Sequence, residues 1–371
     1  MKITFDRERV LHAFQSVASV VPTRSPKAIL KNVKLDAADN QLVVSATDME
    51  VGIRIEVGDI EVEAGGSVLV PVDRFGSILR ESTDEKLRIE TTDKGISVRG
   101  DRSRFSLPSE NPEEFPVVAS FEEEKFHEIP IRLFREMIRR TLFATDTESS
   151  RYALGGVLLE MEAEKITAVG TDGRRLAKME GPARAVNGHG SGDTMTIVPT
   201  RAMQLMERTT SDGDTEVQIA ARANDILVKT PNTTIYARLV EGRFPKWRDV
   251  FPKRTSAVQI EMTVGPLYSA LRQAAVVVSD DSRGVDFKFG DGTLMLSAST
   301  SDLGQSEVEL PIPYNGESII VTLDHRYVAD FLKVLDAERT FTFEIESPDA
   351  AALCSTDDGY GYVIMPLARD R

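Results

Sequence analysis

Three sequence markers return in the same order along the chain, about 125 residues apart each time, and they commit it to three tandem copies of one unit. The first marker joins a strand end to a helix start. It reads Val70-Pro71-Val72-Asp73-Arg74-Phe75, then Val198-Pro199-Thr200-Arg201-Ala202-Met203, then Val321-Thr322-Leu323-Asp324-His325-Arg326. The second is an alternating strand that ends in Asp. It runs from Leu42 to Asp48 and from Ile166 to Asp172, with a degenerate copy from Leu294 to Ala298 leading to Asp302. The third is Phe-Pro, at Phe115-Pro116 and Phe244-Pro245. One such match is easily chance; three in order at nearly one period are repetition.

Each unit is expected to open with an amphipathic helix. Val10, Phe14, Val17 and Val21 share one helical face, as do Phe134, Ile138 and Leu142 after Pro130. Leu267 and Leu271 follow Pro266 in the third unit, where proline near a first turn marks a helix start. The marker after the mid-unit strand starts a second helix; Val328, Phe331, Leu332 and Leu335 make its buried stripe in the third unit. The strands alternate with period two and break at turns such as Asp39-Asn40 and Asp291-Gly292. This is an α+β class, with antiparallel sheets and helices on one face. Boundaries near 120–128 and 250–260 give domains 1–122, 128–252 and 253–371, with Glu122-Glu123-Glu124-Lys125 as a solvated linker.

Composition narrows the function. The net charge is -14, from 45 basic and 59 acidic residues, which alone argues against nucleic acid. An acidic outside with a basic inside gives the same sum. Cys354 is the only cysteine, so neither an internal disulfide nor a Cys-x-x-Cys zinc site is available. The first residues are charged rather than a signal peptide's apolar core, and no run approaches the ~18 apolar residues of a membrane span. A soluble cytoplasmic chain with no membrane partner is the default expectation. His12, His127, His189 and His325 show no metal-ligand spacing, and no serine has a nucleophile-elbow context. Gly188 to Asp193 reads as a surface loop, because it lacks the Lys-Ser/Thr of a phosphate loop. Asp280-Asp281 and Asp357-Asp358 read as caps and turns more readily than as metal carboxylates. No catalytic, metal-binding or cofactor-binding residue is expected.

Positive charge is placed on helices. Arg132, Arg135 and Arg139 lie opposite the apolar stripe of the second unit's first helix. Arg201 and Arg208 are seven apart on its second helix, and Arg326 and Lys333 repeat that spacing in the third unit. Two readings stay open: ordinary solvated faces, or a helix layer that faces a polyanion while the sheets face solvent.

The motif Thr171-Asp172-Gly173-Arg174-Arg175-Leu176-Ala177 is similar to the Thr-Asp-Gly-His-Arg-Leu-Ala of a known family. Gly242-Arg243-Phe244-Pro245, the ending Tyr362-Val363-Ile364-Met365-Pro366-Leu367 and the opening Met1-Lys2-Ile3-Thr4-Phe5 are family-like too. Over its whole length the chain resembles the bacterial DNA polymerase III beta subunit, the replicative sliding clamp.

The resemblance implies the DNA clamp fold. Two three-domain chains join head to tail into a homodimeric ring, with helices lining a central hole and sheets outside. It implies a processivity factor rather than an enzyme. The ring encircles double-stranded DNA without reading sequence, needs no cofactor, and is opened by a separate ATP-driven loader. A groove between the second and third domains captures short linear peptides. The clients are the polymerase III alpha subunit, the clamp-loader delta subunit, repair polymerases and mismatch-repair proteins. The resemblance places Leu154, Thr171, Gly173, Arg174, Arg175, Leu176, Pro245, Val250, Val363, Met365, Pro366 and Leu367 in that groove. It puts Arg24, Arg74 and Tyr152 against DNA, with Arg132, Arg135, Arg139, Arg201 and Lys333 on lumen helices. Val276 and Val277 fall on one face of the ring interface, and Arg102, Arg104, Phe105 and Leu107 on the other.

The chain departs from the family at Arg174, where the family has histidine, and at Asp249, where some members have arginine. Ser282 replaces an aromatic at the lip, Trp247 stands where tyrosine is common, and a tail of Ala368-Arg369-Asp370-Arg371 follows. The full motif in the second unit and its degenerate copy in the third imply one groove per chain. A repeat-built protein scaffold with no DNA role, and a hydrolase, are the competing classes. The acidic total favours the former, and the missing nucleophile and metal constellations disfavour the latter.

Overall fold

The computed structural model describes residues 1–93, 95–146, 153–190, 195–210, 216–251 and 257–368. They form two compact lobes, Met1–Phe134 with Arg184–Leu239, and Arg135–Ala183 with Val240–Arg371. The helices are α1 (Arg7–Ala18), α2 (Val72–Glu81), α3 (Ile131–Thr141), α4 (Thr200–Thr209), the short α5 (Trp247–Val250), α6 (Val264–Ala274) and α7 (His325–Lys333). Apart from α5 there are two per repeat, as the periodicity predicts. Val10, Phe14 and Val17 are buried on α1, and Val328, Phe331 and Leu332 on α7.

The repeats do not open with a helix, as expected, but with a short strand: Lys2–Asp6, Phe126–Pro130 and Val258–Thr263. Ile3 and Phe5, His127 and Ile129, and Ile260 and Met262 point inward in turn, a period-two signal too brief to stand out beside a helix pattern.

In the first lobe one sheet has the order Glu61–Ala64, Lys2–Asp6, Lys86–Thr92, Gly95–Arg99, Arg104–Leu107. The second runs Arg184–Val186, Phe126–Pro130, Glu216–Ala221, Asp225–Lys229, Thr233–Arg238, Val51–Val57, Gln41–Thr47, Asn32–Ala38, Gly66–Pro71. In the second lobe the order is Gly156–Met161, Lys165–Thr171, Arg175–Pro182, Tyr360–Ile364, Ala352–Ser355, Thr340–Ile345, Val258–Thr263. Beside it Gly304–Pro311, Thr293–Thr300, Gly284–Gly290 and Ile319–Asp324 form a separate sheet. Neighbouring strands in these sheets pair antiparallel.

Each lobe is built around a join between repeats. In the first, Thr233–Arg238 of the middle repeat pairs with Val51–Val57 of the first. In the second, Arg175–Pro182 of the middle repeat pairs with Tyr360–Ile364 of the third. Main-chain hydrogen bonds thus cross from copy to copy, and the middle repeat is shared between the lobes. A repeat with an open sheet edge satisfies its backbone groups on the next copy.

A buried histidine pair ties the first lobe together. The Nδ1 atoms of His127 and His189 lie 2.6 Å apart. His189 Nε2 in turn lies against the Ala221 backbone, 3.1 Å from its amide and 3.3 Å from its carbonyl. Burial holds His189 below the usual histidine range, and His127 pushes it the same way. A depressed folded pKa makes this contribution to stability fully present above the ordinary histidine value and lost as pH falls below it. The urea midpoint of the first lobe is therefore expected to drop between about pH 7.5 and about pH 5.5, and His189→Gln to flatten that drop. Equal pH slopes in both proteins would contradict this role.

Candidate functional site

The site begins at a hairpin turn. Strand Lys165–Thr171 ends, and the chain returns as Arg175–Pro182. Thr171 Oγ1 donates to the Arg175 carbonyl at 2.6 Å and accepts the Gly173 amide at 3.1 Å. Asp172 Oδ1 accepts the Arg174 and Arg175 amides at 2.9 and 3.0 Å. The Thr-Asp-Gly motif is thus a turn whose backbone groups are held by its own side chains. Gly173 has φ +86°, a conformation that favours glycine.

The first repeat makes the same turn from Thr47-Asp48-Met49. Thr47 Oγ1 donates to Val51 and accepts from Met49, and Asp48 Oδ1 accepts the Glu50 and Val51 amides. Here Met49 takes the positive φ, at 83°.

Arg175 leaves the second-lobe turn into the protein. Its Nε meets Asp172 Oδ2 at 3.0 Å, Nη1 meets Asp330 Oδ2 on α7 at 2.7 Å, and Nη2 donates to the Phe143 carbonyl at 2.7 Å. The guanidinium lies 4.5 Å from the Tyr327 ring centroid and 5.3 Å from that of Phe143. Burial opposes its charge, but Tyr362, Asp330 and Asp172 outweigh it and hold the arginine fully protonated. Arg140 works in parallel: its Nη1 reaches Asp358 at 2.8 Å, and the guanidinium lies over the Tyr360 ring.

Beside this clamp is an open cavity of about 470 Å³. Ten of the twelve residues that the resemblance places in a groove line it: Leu154, Thr171, Gly173, Arg174, Arg175, Leu176, Pro245, Val250, Val363 and Met365. Leu154, Leu176 and Val363 are buried, while Val250 and Met365 are 47% and 43% exposed, so apolar surface faces an empty space. Arg243, Phe244 and Lys246 also line it and were not predicted, although the first two lie inside the Gly-Arg-Phe-Pro motif and Lys246 follows it directly. Pro366 and Leu367 do not border it. The Leu367 amide donates to Thr322 at 2.9 Å, which draws the tail onto strand Ile319–Asp324 and into a separate polar cleft that holds Ser282. Trp247 and Arg248 brace the outer wall: both bond Glu160, at 3.2 Å and as close as 2.7 Å.

The equivalent join in the first lobe carries different side chains. The Met365 amide donates to Arg174 at 2.9 Å; its counterpart is the Arg238 amide, which donates to Glu50 at 2.9 Å. Arg238 and Glu50 form an ion pair at 3.3 Å, where the second lobe has Met365 and Arg174, the latter with no carboxylate partner among the described residues.

The other predicted residues scatter over both lobes. Arg24 and Arg74 are exposed and make no ion pair among the described residues. On α3, Arg132 and Arg139 are exposed and Arg135 half-buried; Arg139 meets Glu136 at 2.7 Å. Arg201 is tied to Asp48 and to the Val20 carbonyl, and Lys333 sits 3.3 Å from Asp330. Tyr152 lies outside the described residues. Arg104, Phe105 and Leu107 form the open edge strand of the first lobe, and Arg102 and Phe105 border a hollow of about 380 Å³. In the second lobe Val276 is 76% exposed and Val277 half-buried.

Among the described residues, the carboxylates and the thiol are otherwise engaged. Asp357 pairs with Arg339, and Asp358 with Arg339 and Arg140. Burial pushes the Cys354 thiol up, leaving it inert. Among the described residues no group of three or more His, Cys, Asp or Glu could hold a metal ion. No helix there is long and apolar enough to cross a membrane.

Three repeats of paired helices and antiparallel sheets, with an apolar groove at one join, define the class as a three-domain clamp. Models of the DNA polymerase III beta subunit match the chain over 1–119 (N-terminal domain), 128–246 (central domain) and 248–368 (C-terminal domain). The beta sliding clamp of Chlamydia trachomatis is 30% identical over 334 residues, covering 90% of this chain and 79% of that protein. That of Escherichia coli K12 is 27% identical over 369 residues, covering 99% and 100%. The crystal structure of a Pseudomonas aeruginosa sliding clamp bound to griselimycin covers all of both chains at TM-score 0.91 and 28% identity. The chain belongs to the DNA polymerase III beta subunit family, the beta sliding clamps, which are non-catalytic processivity factors of DNA replication.

The turn chemistry makes a paired prediction. A Cβ at Gly173 would meet nothing within 4 Å, so Gly173→Ala should cost only the backbone strain, roughly 1 kcal/mol. Met49→Gly should relieve the same strain in the first lobe and stabilise by roughly 0.5 kcal/mol. Urea denaturation measures both; a neutral Gly173→Ala would remove the reason for glycine in the motif.

Proposed function

We propose that two copies of this chain close head to tail into a ring around duplex DNA, and that the second-lobe groove tethers the replicative polymerase and other clients by short peptides. The observation that carries the ring is a pair of unlike, complementary edges. One is the edge strand Arg104–Leu107, with exposed Arg102 and Arg104 beside a hollow in which Ile78 and Phe105 lie among polar side chains. The other is the edge strand Gly304–Pro311, with Glu307 and Glu309 exposed and Val276 standing out on the Ala275–Val277 turn that packs against that strand. Unlike edges dock heterologously, and such contacts close into rings or run on as filaments. Three domains per chain, at 1–122, 128–252 and 253–371, then give a ring of six.

Topology rather than affinity holds such a ring on DNA. Weak phosphate contacts suffice, and sliding requires them to be weak. Arg24 and Arg74, which pair with no carboxylate among the described residues, suit that task, with Arg132, Arg135, Arg139, Arg201 and Lys333 as a second set. The exposed pairs of Arg139 and Lys333 are worth at most about 1 kcal/mol, so exchange with a phosphate costs little. Tyr152 completes the DNA set. In the groove, Leu154, Leu176, Val250, Val363 and Met365 receive the apolar anchors of an extended client peptide. The clients are the polymerase alpha subunit, the clamp-loader delta subunit, repair polymerases and mismatch-repair proteins.

Once loaded on a closed DNA circle, the protein should stay bound through a high-salt gel filtration and leave when a single restriction cut opens the circle. Equal retention on circular and linear DNA would sink the topological mechanism.

A further inference from the structure

The proposed groove has an apolar floor but a cationic rim, and three of its cations pair with no carboxylate among the described residues. Arg174, Arg243 and Lys246 line the cavity with exposed side chains and make no ion pair among the described residues. Their neighbours show how readily this chain pairs its cations. Arg175, next in sequence to Arg174, is locked by Asp172 and Asp330. Arg248, two residues beyond Lys246, holds both oxygens of Glu160, at 2.9 and 2.7 Å. In a chain with 59 acidic and 45 basic residues, three cations left together around one apolar opening form a local reversal of charge.

Two of the three stand on fixed backbone. The Arg174 amide is held by Asp172, and its carbonyl accepts the Met365 amide at 2.9 Å. The Arg243 carbonyl accepts the Ala153 amide at 3.3 Å. Only their side chains must be ordered when a ligand arrives, which lowers the entropic cost of the contact. The first-lobe join, with Glu50 and Arg238 paired to each other, presents no such charge.

We infer that this groove prefers client peptides with acidic residues beside their apolar anchors, and that Arg174, Arg243 and Lys246 read those residues. The inference rests on the groove being the peptide site. Apolar anchors supply the affinity common to all clients, and the rim ranks them by charge. The preference must weaken with salt, because the three cations are exposed.

The test uses the full-length protein and two fluorescein-labelled decapeptides with the same central Leu-Phe pair. One is flanked by Asp and Glu, the other by Asn and Gln. Fluorescence anisotropy at low salt should give the acidic peptide roughly 10-fold tighter binding, shrinking to about 2-fold near 0.5 M salt. The triple variant Arg174→Gln, Arg243→Gln, Lys246→Gln should bind the two peptides alike. Equal affinities for the unaltered protein would overturn the preference while leaving the groove as the peptide site. A preference that survives in the triple variant would overturn the assignment to these residues. Failure of both peptides to bind would remove the groove reading and the preference together.

Discussion

The backbone pairing of Arg175–Pro182 with Tyr360–Ile364 is the constraint from which the second lobe follows. It joins a strand of the middle repeat to the last strand of the third. Hydrogen bonds alone would leave the register to the side chains. Arg175 and Arg140 supply that. Each reaches from the middle repeat to a carboxylate of the third, Asp330 or Asp358, and each lies against its aromatic rings. Burial alone would raise the Asp358 carboxyl, but Thr356 and Arg140 hold it below the usual carboxylate range, so the pair stays charged. Two largely buried arginines, each paired to a carboxylate and packed against an aromatic ring, specify this join more than they stabilise it.

The groove is a by-product of that join. Where the Arg175–Pro182 strand begins and the Tyr360–Ile364 strand ends, Arg174 and Met365 bond through their backbones and their side chains are left over. The first lobe has the same bond between Glu50 and Arg238, yet there the leftover side chains neutralise each other. Identical backbone construction therefore yields an apolar, cationic opening in one lobe and a closed ion pair in the other. Duplication supplied the frame; substitution at a handful of positions decided which join was left as an open groove.

Much of this was legible in the sequence, for physical reasons. Helix stripes such as Val328, Phe331 and Leu332 have a period that only a helix satisfies, and the Thr-Asp-Gly turn carries its own hydrogen-bond acceptors. The opening strands were hidden because five or six alternating residues are a weak signal beside an adjoining helix. The lobes were hidden because strand pairing between copies leaves no mark on either strand. Of the groove, the motif residues were found, whereas Arg243, Phe244 and Lys246 come in through a loop whose path depends on Glu160 holding Trp247 and Arg248. The resemblance places Leu367 in the groove with Met365, whereas a backbone bond to Thr322 turns it to the polar cleft.

The most direct measurement of this account is amide hydrogen exchange on Arg175→Ala. Losing one partner of a fully buried ion pair costs about 3–5 kcal/mol; this pair is partly exposed, so the cost should be smaller, and the loss should be local. The account predicts faster exchange at Tyr360–Ile364 and around the groove, with Thr233–Arg238 in the first lobe unchanged. Unaltered protection of Tyr360–Ile364 would contradict the claim that the arginine clamp holds the repeats together and shapes the site.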